Sequence, residues 1–227
     1  MDFVRDKLEQ LVMGYSLFEK KAQPGHSGRV RDYVLDLYIN LPIQGIFVGK
    51  ETITVLSYAA MLHDIGKEYI GAKDVLFSPE PLTPEQRESM ETHPVLSAEK
   101  VLNAGSSNLY TDIAKVIIAH HENPDGSGYP YGLAGDEISV EARLIRLCDR
   151  FDAMTVDRGY NHIKKPFEAL DSLRADATDK MDLDLIDVMY KLLKDESSFT
   201  FWSYKKGQKE INALKAKGLL PLQRRFN

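Results

Sequence analysis

Apolar residues recur at helical spacing along nearly the whole chain. Residues 2–20 read as an amphipathic helix that Pro24-Gly25 ends. A second helix runs from about His26 to Asn40, with Val30, Val34, Leu37 and Tyr38 on one face. A loop over 41–50, with Pro42, Gly45 and Gly49, leads into a third helix. Its stripe is Val55, Leu56, Ala59 and Leu62, and it ends at His63. After a loop over 71–82, Thr83-Pro84-Glu85-Gln86 marks a helix start: Thr83 as N-cap, Pro84 in the first turn, Gln86 closing a capping box. Pro94 disfavours helical geometry at His93, which predicts a break there and a new helix to about Asn103. Thr111 reads as the cap of a helix reaching His120-His121. A turn-rich loop spans 123–138, and Ser139 caps the next helix, to about Thr155. Helices near 166–176 and 182–195 follow, then a basic tail with one more helix near 206–217. No pair of alternating strands stands out, so the pattern predicts an all-α helical bundle. It divides into an N-terminal helix over 1–25, a main domain over 26–195 and the tail over 196–227.

Composition narrows the function. The formal net charge of −5 argues against binding a nucleic-acid polymer, which calls for a basic surface. A small anionic ligand held by local charges remains open. No apolar run approaches the length needed to cross a bilayer, and the charged N-terminus is no signal peptide. The single cysteine, Cys148, excludes an internal disulfide and reads as a small core residue. Together these predict a cytoplasmic chain.

Chemistry concentrates at helix ends. His63-Asp64 closes an apolar stripe, where a charged carboxylate is costly to bury unless something compensates it. A metal ion would do so, and so would a salt bridge beside a packed histidine. His63 and Lys67 are four apart and are predicted to share one helix face, with Gly66 keeping the backbone between them uncrowded. His26 opens a helix, His93 sits at a break, and His120-His121 end a helix with the inner stripe Ile113, Val116 and Ile117. Each reads singly as a hydrogen-bonded structural histidine, but five of six histidines at such positions suggest a shared centre. The sixth, His162, lies in the polar run Tyr160-Asn161-His162 and reads as a surface residue. Asp149 sits on a helix apolar almost all round, so it is paired with Arg146 or Arg150 or binds a metal. In the loop His120 to Pro130, Asp125 or Glu122 is expected to hold a ligand imidazole by its other nitrogen.

His63-Asp64 with Gly66 and Lys67, then His93-Pro94, the run His120-His121-Glu122-Asn123-Pro124-Asp125-Gly126-Ser127-Gly128-Tyr129-Pro130, and Asp149 together resemble the HD-GYP family. That family is a branch of the HD-domain metal-dependent phosphohydrolases. The resemblance covers about 26–194 and includes Leu82-Thr83-Pro84-Glu85-Gln86, Asp152-Ala153-Met154 and Arg158. It implies an all-α HD-domain-like bundle that hydrolyses cyclic di-GMP, or the mixed guanine–adenine dinucleotide 3',3'-cGAMP, to the linear dinucleotide and onward to mononucleotides. The implied nucleophile is a hydroxide bridging two metals. Carried over residue by residue, His26, His63, Asp64 and Asp149 hold one metal, and Asp64, His93, His120 and His121 hold the other. Iron or manganese is favoured over zinc. Lys67 and Asp64 take catalytic roles, Lys67 and Arg158 bind phosphate, and Tyr129 contacts a base or orders the loop. The glutamate through which some relatives hold a third metal is Ala22 here, which implies two metals. Ser78-Pro79-Glu80-Pro81 and Gly159-Tyr160-Asn161 depart from the family pattern by losing basic residues near the substrate entrance. Only 25 residues precede His26, too few for a receiver or sensor domain, so control is expected from a regulatory protein partner or from expression. Two other readings stay open: a phosphohydrolase of another nucleotide, and a non-catalytic cyclic-dinucleotide-binding or interaction module.

Overall fold

The computed structural model describes residues 2–41, 50–70, 82–156, 163–176 and 182–216. Among these residues the fold is all-α, as the periodicity predicts. The helices are α1 (Asp2–Ala22), α2 (His26–Ile39), α3 (Lys50–Leu62), α4 (Pro84–Glu91), α5 (His93–Ala104) and α6 (Asn108–Ile118), followed by α7 (Val140–Thr155), α8 (Pro166–Ala175), α9 (Leu183–Lys194) and α10 (Phe199–Ala216). Short 3-10 turns occupy Ile65–Glu68 and Gly135–Glu137. The only extended pairing among the described residues is an isolated bridge between Asp125 and Ala134.

One core holds the bundle together. Helix α2, in which Val30, Tyr33, Val34 and Leu37 are buried, packs against α3, and α3 against α6. The stripe Leu56, Ala59 and Leu62 is fully buried there, while Val55 is half-buried. On its other side α2 meets α7, where the rings of Tyr33 and Phe151 cross edge-on at 5.5 Å. Such a pair adds about 1 kcal/mol to the burial of its surface. Helix α10 lies across α2.

Local chemistry sets several boundaries. Thr83 Oγ1 accepts the Gln86 amide, and the Gln86 side chain accepts the Thr83 amide, completing the capping box. Ser139 Oγ caps α7 by accepting the Ala142 amide. Two starts lie earlier than the pattern suggests. Helix α6 begins at Asn108: Ser107 is the N-cap, its carbonyl accepts the amides of Tyr110 and Thr111, and the buried ring of Tyr110 packs over Gly105. Helix α10 begins at Phe199: Ser198 Oγ caps it by accepting the Phe201 amide, and Asp36 Oδ2 accepts the buried amide of Thr200 at 2.8 Å.

Candidate metal centre

The last carbonyls of an α-helix have no partner within the helix. Three histidines take them up. Nδ1 of His63 donates to the Ala60 carbonyl at 2.9 Å, Nδ1 of His93 to Met90 at 2.7 Å, and Nδ1 of His120 to Ile117 at 2.5 Å. Each acceptor sits in the final turn of α3, α4 or α6. A carbonyl oxygen only accepts, so each Nδ1 carries a proton, and in the neutral ring each Nε2 presents a lone pair.

Those lone pairs converge on Asp64. Its Oδ1 lies 3.2 Å from Nε2 of His93 and 4.0 Å from Nε2 of His120. Its Oδ2 lies 3.5 Å from Nε2 of His63 and 3.8 Å from Nε2 of His26. Asp149 Oδ1 stands 3.2 Å from Nε2 of His26 and 4.0 Å from Nε2 of His63. Nε2 of His93 and Nε2 of His120 face each other at 3.3 Å. One ligand atom from each of Asp64, His93, His120 and His121 lies within 4.8 Å of the others, and the same holds for His26, His63 and Asp64. All seven residues named from the sequence therefore meet at one place.

The donor set fits a metal. Facing lone pairs beside a carboxylate repel one another unless a cation lies among them. His63 Nε2 and Asp64 Oδ1 are buried and make no hydrogen bond. Burial lowers the pKa of His63, His120 and His121, which keeps these rings neutral and able to bind a metal. Burial works against the charge on Asp64, but Lys67, His63 and His93 outweigh it and hold the carboxyl well below the ordinary range. Asp149 is likewise lowered, against burial, by His26 and His63 beside it. A buried pair of carboxylates with neutral imidazoles suits a divalent cation.

The Asp64 turn differs from its sequence reading. Helix α3 stops at Leu62, and the chain passes through His63-Asp64 into the 3-10 turn. Lys67 therefore does not share a helix face with His63. It reaches back to Asp64, Nζ to Oδ2 at 2.5 Å. Gly66 serves close approach to α5, not room along its own backbone. A Cβ there would sit 2.4 Å from the His93 carbonyl oxygen and 2.7 Å from the Ser97 nitrogen. The Gly66 amide donates to Ser97 Oγ at 2.8 Å.

The carboxylate that orients a ligand imidazole is not in the glycine-rich loop. Glu122, fully buried, accepts the amides of Tyr131 at 2.7 Å and Leu133 at 3.1 Å and so closes the loop on itself. Asp125 accepts the amide and hydroxyl of Ser127. Asp152 does the orienting: its Oδ2 accepts Nδ1 of His26 at 2.7 Å, and Arg29 grips the same carboxylate with Nε at 2.6 Å and Nη2 at 2.9 Å. The readable signal was a second acid three residues after Asp149, on the same face of its helix. Nη1 of Arg146 approaches Nδ1 of His121 at 3.4 Å, and burial together with Arg150 lowers the Arg146 pKa to about 10. Arg150 pairs with Asp176 at 3.5 Å.

Tyr129 stacks on His121, centroids 4.8 Å apart and planes 16° apart, and its amide donates to the His121 carbonyl. Gly128 permits the turn that brings it there, since a Cβ would lie 2.4 Å from the backbone of Glu122 and of Asn123. Cys148 is a buried core residue. Arg158, His162 and the segments 78–81 and 159–161 lie outside the described residues.

Comparison with known proteins identifies the family and the fold. The HD domain family matches residues 48–185. A cyclic di-GMP phosphodiesterase of Thermotoga maritima is 35% identical over 158 residues, 64% of this chain and 42% of that protein. The cyclic di-GMP phosphodiesterase response regulator RpfG of Xanthomonas campestris is 40% identical over 114 residues, 50% of this chain and 29% of that protein. The 3'3'-cGAMP-specific phosphodiesterase 3 of Vibrio cholerae is 33% identical over 157 residues, 67% of this chain and 32% of that protein. The chain thus spans less than half the length of these relatives. Among solved structures, the cyclic GMP-AMP specific phosphodiesterase V-cGAP3 of V. cholerae superposes with a TM-score of 0.63 at 16% identity, covering 94% of this chain and 54% of that one. Bd1817, an HDG"Y"P protein of Bdellovibrio bacteriovorus, does so with a TM-score of 0.58 at 23% identity, covering 75% and 52%. Both bear out the fold. No helix among the described residues is long and apolar enough to cross a membrane. With more than half of its length matched by one family, and the His-Asp pair at the centre of its structure, the chain belongs to the HD-domain family.

Proposed function

We propose that this chain is a metal-dependent phosphodiesterase that opens a cyclic dinucleotide, cyclic di-GMP or 3',3'-cGAMP, to the linear dinucleotide and onward to mononucleotides. The observation that carries this is the convergence of imidazole Nε2 atoms on the buried Asp64. The relatives named above act, by their names, on these two substrates. His26, His63, Asp64 and Asp149 would hold one divalent transition metal, and Asp64, His93, His120 and His121 a second. Imidazole and carboxylate donors suit iron and manganese, ahead of zinc by family resemblance. Glu19 supports two metals over three: its buried carboxylate accepts the Ser27 amide at 2.5 Å and so caps α2.

Bound there, the metals would supply an activated water at neutral pH and neutralise charge on the phosphoryl group. The side chains account for the rest. Lys67 stands beside Asp64 with its side chain 12% exposed, so its ammonium can meet a phosphoryl oxygen as negative charge grows on it. Asp152 and Arg29 fix the His26 ring. Tyr129 holds the plane of His121. Arg158 is assigned the second phosphate by its position after the Asp149 helix in the sequence.

The test is metal analysis of anaerobically purified protein together with hydrolysis of both cyclic dinucleotides. About two metals per chain and cleavage of at least one substrate are expected. Asp64→Ala should abolish cleavage and strip at least one metal. Fewer than one metal per chain, or activity undiminished in Asp64→Ala, overturns the proposal.

A further inference from the structure

The matched family segment ends at residue 185, and α10 lies beyond it. That helix nevertheless reaches the metal centre. Arg29 is buried, and its guanidinium is fully engaged: two arms on Asp152 and Nη1 on the Pro24 carbonyl at 2.8 Å. Asp152 in turn holds His26 Nδ1. On the other side of the Arg29 stem lies Gly207 of α10. A Cβ at Gly207 would fall 2.5 Å from Arg29 Cδ and 3.2 Å from its Nε. The arginine stem therefore lies flat against bare helix backbone.

Helix α10 is fixed in that position by bonds from its first turns and its middle. Asp36 accepts the Thr200 amide at 2.8 Å, Ser203 Oγ donates to Asp32 Oδ2 at 2.6 Å, and Gln208 Nε2 donates to the Thr155 carbonyl at 2.7 Å. The first two tie it to α2 and the third to the end of α7, the two helices that carry His26 and Asp149.

We propose that α10 belongs to the frame of the metal site: Gly207 seats Arg29, Arg29 sets the plane of Asp152, and Asp152 fixes the ring of His26. The inference rests on reading His26 as a metal ligand. Arg29, Asp152 and Gly207 are positioning residues in it. An arginine side chain has many rotamers, and the one adopted here presents its fork to Asp152. Contact with Gly207 removes the alternatives on that side. Loss of a carboxylate partner behind a metal-bound imidazole typically weakens metal binding ten- to a hundred-fold, and the same order of effect is expected here.

Four proteins test this: wild type, Gly207→Ala, Arg29→Lys and, as control, Lys209→Ala at an exposed position of the same helix. Alanine favours the helix but intrudes on Arg29, lysine keeps the charge but loses the fork, and Lys209→Ala trims an exposed side chain of α10 and leaves its contact with Arg29 alone. Chelator-stripped protein is titrated with Mn2+ by calorimetry. The His26 Nδ1 proton is followed by NMR in the metal-free state. Gly207→Ala and Arg29→Lys should weaken one of two Mn2+ sites about ten- to a hundred-fold, spare the other, and shift or broaden the His26 Nδ1 proton. Lys209→Ala should leave both readouts as in wild type. Unchanged Mn2+ binding and an unchanged His26 signal in Gly207→Ala overturn the inference, as does an equal loss in Lys209→Ala. A wild type that takes up no Mn2+ overturns the ligand reading instead, and the His26 proton then decides the positioning role alone.

Discussion

Replacing Gly66 by alanine probes how closely the His63-Asp64 turn is pressed onto α5. The added Cβ would meet the His93 carbonyl oxygen at 2.4 Å, the Ser97 nitrogen at 2.7 Å and Leu96 Cβ at 2.9 Å. Two of these are backbone atoms of a helix and have nowhere to go. The turn would have to retreat by about 1 Å to restore ordinary contact. Overpacking of this kind costs about 1–3 kcal/mol. Retreat also stretches the 2.8 Å bond from the Gly66 amide to Ser97 Oγ, adding about 1 kcal/mol. A total near 3 kcal/mol, at about 3 °C per kcal/mol for a chain of this size, lowers the melting temperature by roughly 9 °C. The assay is thermal melting of the metal-free protein, followed by metal content. Ser97→Ala isolates the hydrogen-bond part and should cost about a third as much. Gly14→Ala is the control: nothing lies within 4 Å of a Cβ there, and alanine in that helix should stabilise by about 0.5–1 kcal/mol. Metal content should also fall in Gly66→Ala, because retreat carries Asp64 away from His93, now 3.2 Å off. If Gly66→Ala melts within 2 °C of wild type and keeps its full metal content, the close approach is absent and the reasoning fails.

Lys67→Ala should keep the metal content yet slow turnover about a hundred-fold, the scale of one lost electrostatic contact in the transition state; full kcat in steady-state kinetics would make the lysine a bystander. Acid should destabilise the metal-free protein. The folded pKa values of His63, His120 and His121 lie below the unfolded value, so on acidification the unfolded chain takes up protons first. Stability then falls as pH drops below about 6.5, by at most about 1.4 kcal/mol per unit for each histidine. Asp64, Asp149 and Asp152 contribute stability above about pH 4 that is lost below it, because their folded values are depressed. A melting temperature that stays flat from pH 7 to 5.5 would contradict the neutral, buried state of these rings.

Much of the centre was legible because its chemistry is local. A histidine at a helix end is visible in sequence, and the unpartnered carbonyls of that end explain why the ring sits there. Thr83 and Gln86, or Ser139, announce helix starts for the same reason: both partners lie within three residues. What escaped is long-range. Asp152 meets Arg29 across 123 residues, and no periodicity records that pairing. Gly66 reads as a spacer in its own segment, yet its need comes from His93 and Ser97. Glu122 lies inside the most recognisable motif and still misled, since its partners, Tyr131 and Leu133, are backbone amides and leave no trace in residue type.

The bonds behind the imidazoles divide the centre by how it can change over generations. His63, His93 and His120 lean on main-chain carbonyls, which every amino acid provides. No single substitution at Ala60, Met90 or Ile117 deletes those acceptors, so that side of the centre is shielded from drift. His26 leans on Asp152, a side chain that one codon change can replace, and Asp152 on Arg29 in turn. Variation among descendants of this chain should therefore collect around His26, where metal preference can be retuned while every ligand stays in place.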